Sequence, residues 1–61
     1  MLDKDATLKA IESLRSFYNQ LELAITIEED MITKRSLKLA KTQIKNATSR
    51  LLSIAKDKKW I

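Results

Sequence analysis

The stretch Thr26-Ile27-Glu28-Glu29-Asp30-Met31-Ile32-Thr33 decides the fold, because the apolar pattern before it and the pattern after it do not share a phase. Upstream, Ile11, Leu14, Tyr18, Leu21 and Ile25 alternate steps of three and four, the mark of one apolar seam on a helix. Downstream, Leu37, Ala40, Ile44, Ala47, Leu51 and Ile54 step in the same way, displaced by two residues per heptad. An unbroken coiled coil keeps one phase, so the displacement predicts a break between two helices. Thr26, Asp30 and Thr33 are each able to cap a second helix, and Thr26 with Glu29 fits a capping box. The acids Glu28, Glu29 and Asp30 suit the positive N-terminal end of that second helix. The spacing predicts helix one over about 4–27, a turn within 26–33 and helix two over about 31–58.

Composition agrees. The 61 residues include no glycine and no proline, so the usual turn formers and helix breakers are missing together. The hydrophobic share of 44%, with clear helical periodicity, argues against disorder, and no strand-like alternation is present. The expected fold is all-α: one domain, an antiparallel two-helix hairpin.

Charge is divided between the halves. Residues 1–30 carry three basic and seven acidic side chains, a net −4; residues 31–61 carry nine basic and one acidic, a net +8. Folding back brings the acidic helix against the basic one. In the preferred alignment Ile11 faces Ile54, Leu14 faces Leu51, Tyr18 faces Ala47, Leu21 faces Ile44 and Ile25 faces Ala40, about a turn centred near residue 32. Glu22 then meets Lys41, Glu29 meets Lys34, and Phe17 lies near Arg50 for a cation–π contact. A slide of one heptad moves the turn toward Thr26 but sets Arg15 against Lys41.

A core of this size rarely stabilises a fold by more than about 3–5 kcal/mol unaided. The chain has no cysteine or histidine, so disulfides and the common zinc sites are excluded. Apolar residues also lie off the two seams. Phe17, Leu39, Leu52 and Trp60 are the candidate interface residues for a partner, and the expected assembly is a homodimer forming a four-helix bundle, or a larger closed homo-oligomer.

Catalysis is not expected, since the chain lacks the residues most readily tuned to act near neutral pH and has no glycine for a phosphate-cradling loop. Neither metal nor cofactor is expected: Glu22 and Glu29 share a helix face, but no histidine completes a dinuclear pattern. The N-terminus turns polar at once, and no apolar run approaches the roughly 18 residues of a membrane span, so we read no targeting segment and expect a cytoplasmic protein.

The basic face of helix two is the candidate binding surface. Lys34, Lys38, Lys41 and Lys45 recur at helical spacing with no acid between them, and Arg35 widens the stripe. Such a face fits nucleic acid or a smaller phosphorylated ligand; equally, it fits a solvated face that neutralises Glu22 and Glu29. Base-specific readout is not expected, because Gln43 and Asn46 do not cluster. The alternative function is an interaction module, an adaptor or inhibitor presenting an apolar helical face to a larger protein. A membrane-surface role is not expected, although Lys58-Lys59-Trp60-Ile61 has the composition of an interfacial anchor. Trp60 is expected to pack locally over Leu2 or Leu8, with docking into a partner's pocket as its alternative.

Overall fold

A computed structural model describes residues 3–61 as two helices, α1 (Lys4–Ile27) and α2 (Met31–Asp57), folded against one another as a hairpin. The molecule is a rod of 42 × 17 × 14 Å. The expected cover of Trp60 over Leu2 falls outside the described residues.

Each helix starts at an aspartate. Asp3 accepts a hydrogen bond from the Ala6 N–H at 2.9 Å and opens α1. Asp30 does the same for α2, its carboxylate accepting from the Thr33 N–H at 2.8 Å. The choice among three caps is thereby resolved, and the Thr26–Glu29 capping box is not formed. Thr26 is still helical, and its hydroxyl donates backward to the Glu22 carbonyl at 2.9 Å. The turn is Glu28–Asp30, centred on Glu29 rather than near residue 32. It is held by the Glu28 carboxylate, which accepts from the Asp30 N–H at 3.0 Å.

Without glycine, α2 ends on a lysine. Lys59 adopts φ 60°, while the Trp60 N–H reaches the Ala55 carbonyl at 2.8 Å and the Lys59 N–H reaches the Lys56 carbonyl at 3.0 Å. This pair of bonds is the Schellman closure, with lysine at the left-handed position where glycine is usual. The chain is turned back on α2, Trp60 becomes half-buried, and Ala55 is fully buried.

Both predicted seams face inward: Ile11, Leu14, Tyr18, Leu21 and Ile25 on α1 are buried or half-buried, as are all six residues of the α2 series. The core is nonetheless thin. Among the described residues Ile11, Leu21 and Ala55 are the buried apolar ones, Thr7 is buried beside them, and no large side chain is fully enclosed. Thr7 continues the α1 seam one step below Ile11. On α2 the inward face is wider than its seam and includes Lys41, Thr48 and Ala55, each one residue past a seam position.

Tyr18 shares a groove with Lys45, Thr48 and Ser49, the residues on either side of its expected partner Ala47, and carries Lys41 over its ring. The cation–π contacts among the described residues are Lys41 on Tyr18 and Lys58 on Trp60. Phe17 and Arg50 make none, and Phe17 is 48% exposed.

Candidate anionic-ligand surface

The basic face follows from the composition of α2: from Met31 to Lys56 the helix carries seven basic residues and no acidic one. The structure sorts the five candidate residues into three settings. Lys34, Arg35 and Lys38 line one shallow groove with Met31 at the start of α2, with Arg35 and Lys38 exposed and Lys34 half-buried. Lys41 is half-buried and drawn toward α1, its ammonium 5.4 Å from the centroid of the Tyr18 ring. Lys45 is exposed and lines the open groove between the helices.

That inter-helical groove contains a residue the sequence reading did not select. Arg15 of α1 lies in it with Lys45, Tyr18, Asn19, Thr48 and Ser49. The signal was present in the heptad positions: Arg15 flanks Ile11 as Thr48 flanks Ile44, and antiparallel packing brings such flanks together. The groove thus combines two cationic side chains with an amide and a serine hydroxyl, donors suited to phosphate oxygens. The Thr48 hydroxyl is committed to the Ile44 carbonyl at 2.8 Å.

Asp30 is occupied as the α2 cap, and Thr33, through its side chain and then its backbone N–H, holds the Asp30 carboxyl below the usual aspartate value. Among the described residues no three carboxylates gather where a metal ion could be held.

The four candidate partner-interface residues also separate. Leu39 is exposed and lines a groove on the outer side of α2 with Ile32, Arg35, Ser36, Lys38 and Thr42. Phe17 is exposed near the middle of α1. Leu52 is half-buried against the groove that holds Leu8, Ile11 and Ile61. Trp60 is half-buried at the end of α2 with the Lys58 ammonium 6.0 Å from its ring centroid.

No helix of the described residues is long and apolar enough to cross a membrane. Comparison of the chain with protein-family models, curated proteins and solved structures finds no match.

Proposed function

We propose that this chain is a small non-enzymatic helical protein of the cytoplasm that assembles with copies of itself, as a four-helix bundle or a larger ring, and binds nucleic acid. Binding is through Lys34, Arg35, Lys38, Lys41 and Lys45, with Arg15 at the margin of the surface. The observation that carries this reading is the acid-free run of α2 from Met31 to Lys56. Its length favours a polymer over a small phosphorylated molecule: the twelve residues of helix from Lys34 to Lys45 span about 16 Å, enough to meet several phosphates in succession. Recognition is of the phosphate backbone, since amide side chains do not cluster beside the lysines.

A second reading, an interaction module that docks on a larger protein, has the 62% exposure of Leu39 in its favour. Light-scattering mass at low and high salt, with and without a short RNA duplex, separates the two. The nucleic-acid reading expects a complex that forms at low salt and releases at high salt. Indifference to the duplex at low salt would favour the interaction module.

A further inference from the structure

Two like charges from different helices meet in one groove. Arg15 is the one basic residue between Lys9 and Lys34. It lines the inter-helical groove with Lys45, Tyr18, Asn19, Thr48 and Ser49, and no carboxylate lines it with them. Apposing α1 to a basic helix is favourable where an acid faces a lysine; here a guanidinium shares the groove with one. Arg15 also borders the adjoining groove, where Asp5 and Glu12 lie. Tyr18 already carries Lys41 over its ring.

The neutral donors are placed to match. Arg15 and Asn19 are one turn apart on α1, as are Lys45 and Ser49 on α2, about 6 Å along each axis. In an antiparallel pair with Tyr18 beside the residues that flank Ala47, Arg15 lies on the Ser49 side and Lys45 on the Asn19 side. Cations and neutral donors therefore alternate around one opening, while the Thr48 hydroxyl is held by the Ile44 carbonyl. All four side chains are exposed, and the groove of about 400 Å³ has the size of a small-ligand site. A phosphate group, which accepts hydrogen bonds on every side, suits such a ring of donors.

We infer that this groove holds one phosphate group between the two helices, and that its binding tightens the hairpin. The inference rests on the phosphate-binding reading above and deepens it: the contact is made by both helices, not by the outer face of α2 alone. A site built from two helices exists only while they are packed. Its ligand therefore binds the folded chain in preference to the unfolded one and stabilises it by mass action. In the empty groove the two cations repel, so removing one costs the free protein nothing.

Thermal melts followed by circular dichroism test this on the full chain, with inorganic phosphate compared with sodium chloride at equal ionic strength. The wild-type midpoint is expected to rise by about 4–8 °C when phosphate is at roughly five times its dissociation constant. Arg15→Gln is expected to melt no lower than the wild type in chloride and to lose at least half of the rise, while Arg35→Gln/Lys38→Gln keeps it. An equal rise in wild type and Arg15→Gln would overturn the groove site. Anisotropy of a labelled RNA duplex on the same proteins separates the sources of phosphate. Affinity at least threefold weaker in Arg15→Gln supports an RNA phosphate in the groove; unchanged affinity with the thermal rise lost supports free phosphate there. A rise that depends on Arg15 without any RNA binding leaves the groove standing and refutes the nucleic-acid reading. Should Arg15→Gln lose its helicity, amide chemical shifts of the wild type titrated with phosphate decide: saturable movement at residues 15, 19, 45 and 49 supports the site, and movement confined to residues 34–38 overturns it.

Discussion

Lys41 holds its ammonium 5.4 Å from the centroid of the Tyr18 ring, so the lysine at the centre of the basic stripe is tied to the opposite helix. Its two neighbours in the stripe, Lys38 and Lys45, are exposed. One row of lysines, uniform in sequence, therefore has two occupations. Tyr18→Leu keeps the apolar layer and removes the cation–π contact, and should lower stability by about 0.5–1 kcal/mol in urea unfolding. Lys41→Gln should cost a similar amount and weaken RNA binding less than Lys38→Gln or Lys45→Gln.

The capping geometry separates two residues that are equal on paper. Asp30→Ala removes the acceptor for the Thr33 N–H and should lower the urea midpoint clearly more than Thr26→Ala, which loses only a backward bond to the Glu22 carbonyl. The check is a pair of unfolding curves at neutral pH.

Because Thr33 holds the folded-state pKa of Asp30 below the ordinary aspartate value of 3.8, the ionised cap stabilises α2 fully at pH values above that ordinary value. The contribution is lost as pH falls through the lowered folded-state pKa. Thermal melts from neutral pH into acid should therefore show part of the wild-type decline missing in Asp30→Asn, a side chain that still caps but does not titrate in this range.

The end of α2 offers the reverse experiment. Lys59 sits at φ 60° with no glycine to relieve it. Lys59→Gly should raise stability by about 1 kcal/mol in equilibrium unfolding, while Lys59→Val should lower it, since a β-branched side chain is least tolerant of the left-handed region.

Why some of this was legible in sequence and some was not follows from what each feature depends on. The break at Glu28–Asp30 was visible because two seams of fixed period cannot change phase within one helix. The inward set from Ile11 to Ile25 was visible for the same reason. The turn centre was misplaced because the alignment was chosen by matching side-chain sizes and charges, whereas the turn is set by the bonds of Asp30 and Glu28 to nearby N–H groups. Ala55 and Thr48 were missed as inward residues because heptad reasoning admits two positions, while the face of α2 that meets α1 is broader. Arg15 joined the candidate surface only once the two helices were set side by side. The exposure of Ile27 and Ile32 was legible too, since both lie off the two apolar seams.

The most direct test of phosphate-backbone binding by α2 is fluorescence anisotropy of a labelled RNA duplex, titrated across a series of salt concentrations with the wild type and with Arg35→Gln/Lys38→Gln/Lys45→Gln. All three residues are exposed, so the variant should keep its fold. The account predicts that affinity falls linearly with salt on logarithmic axes, that the triple variant binds at least tenfold more weakly at low salt, and that its slope is shallower by about two to three. Wild-type binding that is absent at low salt, or that the triple substitution leaves unchanged, would contradict it.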